Sequence, residues 1–103
     1  MANVRKYQIS WTKATASDII GYKIYYVPDG EELNYGSPNV SVGDVDSVII
    51  PDDVPEFPFI DGNYQIGITA VDDVGNESDF LMKTVPFDLV APDAPTNLEV
   101  TPL

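Results

Sequence analysis

Asp61-Gly62-Asn63-Tyr64-Gln65-Ile66-Gly67-Ile68-Thr69-Ala70-Val71-Asp72 decides the fold of this chain. From Tyr64 to Ala70, apolar and polar residues alternate with period two. That is the spacing of a strand with one buried face, and no helix is compatible with it. Gly75-Asn76-Glu77-Ser78 follows, a turn made of residues that accept left-handed backbone or bond it with short side chains. A strand of this kind needs neighbours, and the flanking sequence offers them.

Upstream, Val4 to Trp11 alternates, with Tyr7, Ile9 and Trp11 on one face and Gln8 and Ser10 on the other. After the polar connection Thr12 to Asp18, Ile20 to Val27 is expected to form a strand. It places Tyr22, Ile24 and Tyr26 inward and Lys23 and Tyr25 outward. Pro28-Asp29-Gly30 is a turn, because proline fixes φ and glycine accepts φ > 0. Leu33 to Val42 reads as an irregular edge strand interrupted by Gly36 and Pro38, and Val45 to Ile50 as a better strand burying Val48 and Ile50. Pro51 to Gly62, carrying Pro51, Pro55 and Pro58, is expected to cross between sheets as a loop.

Downstream, Phe80 to Val85 is the next strand, Pro86 to Pro95 a proline-punctuated linker, and Asn97 to Thr101 a last short strand with Leu98 and Val100 in phase. Strands separated by turn chemistry, with no helical period anywhere, predict an all-β fold: an antiparallel Greek-key β-sandwich of immunoglobulin-like form.

Composition narrows the function classes. A chain of 103 residues, 44% hydrophobic, has room for one domain and one core. It contains no cysteine and no histidine, which removes disulfides, thiolate metal sites, the usual neutral-pH general base and the commonest zinc ligand. No apolar run approaches the roughly 20 residues that cross a bilayer. Five basic against seventeen acidic residues give a net charge of −12, a surface that repels nucleic-acid phosphates and anionic membranes. Arg5, Lys6, Lys13 and Lys23 precede an acidic body in which only Lys83 is basic, a distribution expected to favour end-to-end contact between copies at low salt.

With these segments placed, the chain resembles a fibronectin type III domain of the bacterial or phage kind over about residues 4 to 86. Trp11 stands where that family has the core tryptophan of its second strand. Gly21-Tyr22-Lys23-Ile24-Tyr25-Tyr26 is similar to its third strand, and Tyr64 to Asp72 with Gly75-Asn76-Glu77-Ser78 to its sixth strand and following loop. The resemblance implies a structural core at Trp11, Tyr22, Ile24, Tyr64, Ile66 and Ile68. It also implies a tyrosine corner at Tyr64, although the approach Pro58-Phe59-Ile60-Asp61-Gly62 departs from the family's leucine-and-proline pattern. The integrin-type Arg-Gly-Asp tripeptide is absent.

The ends depart further. Only ten residues precede Trp11, and they are the tryptophan strand itself, whereas Ala91-Pro92-Asp93-Ala94-Pro95-Thr96-Asn97-Leu98-Glu99-Val100 is similar to the family's opening strand. The expected division is a sandwich over 1–86 without its own first strand, then a linker and strand over 87–103. Val4 to Trp11 would then be a bare edge. Asn97, Leu98, Glu99, Val100 and Thr101 become candidates for strand exchange, with Leu98 and Val100 contributing roughly 3–6 kcal/mol when buried. Three fates remain open for this segment: exchange between copies as a closed dimer or head-to-tail fibre, return onto its own edge, or an unpaired stub.

Other candidate sites have plainer readings. Asp44, Asp46, Asp52 and Asp53, or Asp72, Asp73, Asn76, Glu77 and Asp79, could supply oxygen ligands to calcium, but they lack the ordered ligand loop and read as solvated acidic faces. A glycosidase needs paired carboxylates beside a cleft, which short loops do not build. Tyr25 and Tyr35 could stack on a sugar or peptide, or simply pair across the outer sheet face. The expectation is a non-catalytic structural or spacer module without cofactor or metal, part of an extracellular, cell-surface or phage-particle protein, with another protein or a second copy of itself as partner. The alternative is a carbohydrate- or protein-binding module using Tyr25, Tyr35 or a loop end.

Overall fold

The computed structural model of the chain describes residues 5–55, 61–88 and 91–103. Among them are six strands and no helix: β1 (Tyr7–Ser10), β2 (Ile19–Pro28), β3 (Asn39–Val42), β4 (Ser47–Ile50), β5 (Asp61–Asp72) and β6 (Leu81–Asp88). They form two antiparallel sheets, one of β1 and β4, the other in the order β3-β2-β5-β6. β2 and β5 are the longest strands and form the centre of the larger sheet, paired from Ile19 with Asp72 to Pro28 with Tyr64.

The sheets bury a common core. Trp11, Val48 and Ile50 from the β1–β4 side meet Tyr22, Ile24, Ile66, Ile68, Ala70 and Phe87 from the larger sheet. The Trp11 and Tyr22 rings lie 5.5 Å apart across the interface. Tyr64 is half-buried against the same cluster. The alternation Tyr22-Ile24 and Ile66-Ile68-Ala70 is what gives this face its continuous apolar surface, each large side chain contributing about 1.5–3 kcal/mol on burial. Pro58 to Ile60, which would set the corner at Tyr64, lie outside the described residues, as does Val4.

The sandwich has two ends, named here for β1. At the Tyr7 end stand Ile50, Pro28, Asp61 and Asp88; at the Ser10 end stand Ser47, Ile19, Asp72 and Leu81. The Asp88 backbone N–H donates to the Tyr7 hydroxyl, 3.0 Å, and the Tyr7 ring meets Phe87 edge-on at 5.1 Å, so the two sheets are tied together at the Tyr7 end.

Three expectations are corrected. β6 does not stop at Val85 but runs through Pro86 to Asp88, and Phe87 belongs to the core. Pro86 is tolerated because β6 is an edge: Asp88 spends its N–H on Tyr7, so the residues two apart from it, Pro86 among them, turn their backbone groups away from β5. Residues 97–101 form no strand, since a strand needs a partner and none is offered to them here. Lastly, the outer face of the larger sheet is not open to solvent. Tyr25 lies on that face as expected, yet is only 1% exposed.

What covers it is a second, smaller apolar layer. The Phe80 ring stands edge-on to Tyr25 at 5.0 Å and stacks on Tyr35 at 4.6 Å, while Leu33 sits directly over Gly67. Below them Glu77 accepts hydrogen bonds from the Tyr25 hydroxyl and from Thr69 Oγ1 (2.7 Å), and Lys23 Nζ approaches it at 3.4 Å. The 72–78 turn carries Glu77 to that spot. Its backbone returns onto β5 through Ser78 N–H to the Ala70 carbonyl, 2.9 Å, and Asp72 N–H to the Asn76 carbonyl, 3.0 Å.

Candidate functional site

The most distinctive surface is the flank where β1 and β6 face one another across the two sheets. Between them runs a groove of about 510 Å³, floored by Ile66 and Ile68 and walled by Ile9, Leu81, Val85 and Phe87. The residues of β6 that share the inner face with Ile66 and Ile68 are Leu81, Lys83, Val85 and Phe87. Their cover increases along the strand, from Leu81 at 63% exposed to Phe87 at 3%. The groove is therefore open at the Ser10 end and closed at the Tyr7 end, where Tyr7, Phe87 and Asp88 meet.

Backbone bonding shows which edges are free. On β4, Ile49 N–H donates to the Asp53 carboxylate at 2.7 Å and the Ile49 carbonyl accepts from Asp53 N–H at 2.7 Å. Both groups of Ile49 thus point away from β1 and are already satisfied by the chain's own turn. Alternation along an antiparallel pair then turns the N–H and C=O of Gln8, opposite Ile49, and of Ser10 away from β4. Trp11 N–H bonding the Asp46 carbonyl at 2.9 Å agrees with that phase. Gln8 and Ser10 consequently present two donors and two acceptors that bond no described residue, on the groove side of β1. This is an edge able to take one more strand.

The residues expected to exchange are left uncovered. Residues 91–103 hold no secondary structure, and Leu98 and Val100 are 94% and 91% exposed. The longest dimension of the molecule is 70 Å, whereas twelve-residue β5 spans only about 40 Å, so this segment projects beyond the sandwich. The radius of gyration, 17.9 Å, says the same against about 13 Å for a compact chain of this length.

Several of the remaining candidates already have partners within the chain. Tyr25 is covered and bonded to Glu77, and half-exposed Tyr35 donates its hydroxyl to the Ser78 carbonyl at 2.9 Å while its ring stacks on Phe80. Tyr25 therefore offers no ring face on which a sugar could stack, and Tyr35, 51% exposed, has one face taken by Phe80. Asp44 pairs with Lys13 at 3.3 Å, Asp52 with Lys6 at 2.6 Å, Asp53 clasps Ile49, and Asp72 accepts from Val74 and Asn76 N–H. Among the described residues no group of three or more His, Cys, Asp or Glu is placed to hold a metal ion. No helix among them is long and apolar enough to cross a membrane.

Leu81 and Met82 were not singled out from sequence, although they form an exposed apolar pair at the mouth of the groove. Compared with protein-family models, with curated proteins and with solved structures, the chain matches none.

Proposed function

We propose that this chain is a non-catalytic structural module, of the fibronectin type III kind with its Greek-key strand order, that associates with copies of itself by donating residues 96–101 as a strand. The observation that carries this reading is the coexistence of a groove-lined β1 edge that bonds no described residue with an extended segment whose Leu98 and Val100 are almost wholly exposed. Each is what the other needs: an alternating apolar strand on one side, free backbone groups above an apolar trough on the other. The place such a module holds, in an extracellular or phage-particle protein, rests on the resemblance alone.

The association is weak by construction. Leu98 and Val100 together contribute roughly 3–6 kcal/mol, which reaches only the lower end of the roughly 4–15 kcal/mol that association costs in lost freedom. Cover gained by Leu81, Met82 and Ile9, with the new ladder bonds, supplies the surplus. Mass should therefore depend on concentration between about 10 μM and about 1 mM. Light scattering of the whole chain should show mass rising over that range, and deletion of residues 91–103 should abolish the rise while leaving the far-ultraviolet β signal intact. A chain that stays monomeric throughout, with or without the segment, would refute the reading.

A further inference from the structure

We infer that the groove takes residues 98–101 of a second copy antiparallel to β1, with Val100 opposite Ile9, and that copies joined in this way form an open head-to-tail chain and not a closed pair. The inference rests on the self-association proposed above and specifies its acceptor, direction and symmetry.

Two edges border the groove, and β1 is the better acceptor. β6 turns the backbone groups of Met82 and Thr84 outward, but Pro86 in the same row has no N–H and the N–H of Asp88 is held by Tyr7. Lys83 also stands on the inward row of β6, opposite Ile66, where a cation discourages further pairing. β1 carries neither obstacle. Among the described residues its sheet has two strands of four residues each, a pairing too small to be stable by itself, and a third strand completes it.

Direction follows from the shape of the groove. The Tyr7 end is shut by the Tyr7–Phe87 contact and the bond to Asp88, so an incoming strand enters at the Ser10 end, beside Leu81. It then runs against β1, which points the other way. Register follows from phase. Glu99 and Thr101 meet the free rungs of Ser10 and Gln8, Leu98 and Val100 face inward opposite Trp11 and Ile9, and Asn97, at φ 59°, makes the bend before the ladder begins.

Symmetry follows from reach. With the segment extended along the long axis of its own body, as the 70 Å dimension shows, the donor body lies beyond the acceptor's Ser10 end with its own Tyr7 end facing it. To reciprocate, the acceptor's segment would leave from the acceptor's far end, pass its own body and then the donor's, each about 24 Å along β6. The ten steps from Asp88 to Leu98 cover at most about 36 Å. With the segment extended in this way the pair does not close, and the contact is heterologous: every copy keeps one empty groove and one free segment. Return into the same molecule's groove would need a reversal at each end, with Pro92 and Pro95 between, whereas the segment runs outward instead.

The chain has no cysteine, so introduced thiols report cleanly. Ile9→Cys and Val100→Cys in one chain place two thiols across a non-hydrogen-bonded antiparallel pair, about 4.5 Å between Cα atoms, within disulfide range. Mild oxidation of concentrated protein should give a ladder of covalent dimers, trimers and longer species that thiol reduction collapses. Ile9→Cys with Leu98→Cys should crosslink at least tenfold less. A product that stops at dimer, or a faster-migrating monomer, would overturn the open chain while leaving strand donation standing. Absence of disulfide while the mass of the unmodified chain still depends on residues 91–103 would place the donor elsewhere and overturn the acceptor. Mass independent of that segment would instead remove the preceding reading. Small-angle scattering of the unmodified chain guards against misfolded variants: the cross-section should stay constant while length grows with concentration, and a concentration-independent length would count against the inference.

Discussion

Gly67 is a position in β5 where a side chain has no room, because a Cβ there would overlap Leu33 and press on the Phe80 ring at 3.0 Å. Mid-strand glycine weakens a strand through lost packing and added chain entropy, so its presence here reflects that close approach. Gly67→Ala should lower stability by about 1–3 kcal/mol in urea denaturation, as the lid of Leu33, Tyr35 and Phe80 is pushed off the sheet. An unchanged midpoint would mean the lid contributes nothing. Beneath it, burial works against the charge on Glu77, but hydrogen bonds from Tyr25 and Thr69 and the charge of Lys23 outweigh it and hold the carboxyl below its ordinary 4.5. Burial, then the bond to Glu77, raises the Tyr25 hydroxyl above its ordinary value and keeps it a donor. A depressed folded value means ionised Glu77 stabilises the fold above about pH 4.5, and that contribution is lost as pH falls through the folded value. Glu77→Gln should therefore flatten the decline in stability between about pH 5 and pH 2 in denaturation curves taken across that range. A variant keeping the parent slope would show that other carboxylates govern it.

At the scale of elements, what could be read from sequence was whatever depends on alternation alone. β2 and β5 were legible because Tyr22-Ile24 and Ile66-Ile68-Ala70 sit in phase over long runs. β4 was legible through Val48 and Ile50, and the 72–78 turn through its Asp, Gly and Asn. The end of β6 was not, because Pro86 reads as a stop unless one knows that its row of backbone groups faces outward. Nor was the cover over Tyr25: it depends on Leu33 and Phe80, 47 positions apart in the chain, meeting over a single glycine. The bare edge was half legible. Sequence suggested an unpaired flank on the first strand, but only the Asp53 clasp on Ile49 reveals which backbone groups face which way. The groove itself was invisible, since it arises from two strands that never pair.

For the whole molecule, the distribution of charge has to be reconsidered. The basic beginning expected to steer contact between copies is largely spent inside the chain: Lys6 on Asp52, Lys13 on Asp44, Lys23 on Glu77. Arg5 lies 6.0 Å over the Tyr7 ring. Asp18, Asp72, Asp73 and Asp79 gather towards the Ser10 end, while Asp29, Asp61 and Asp88 gather towards the Tyr7 end, so copies stacked as proposed would bring acidic surfaces together. Association should therefore strengthen as sodium chloride is raised from about 20 mM to about 500 mM, where screening shortens the reach of the repulsion. Sedimentation at fixed protein concentration would read this as a shift to heavier species, and the opposite shift would restore attraction between ends. The Asp53 clasp bears on the same scale. Were copies to thread together as proposed, the flank of β4 would be the poorer seam for a neighbouring thread, because its Ile49 rung is already taken by the chain's own turn.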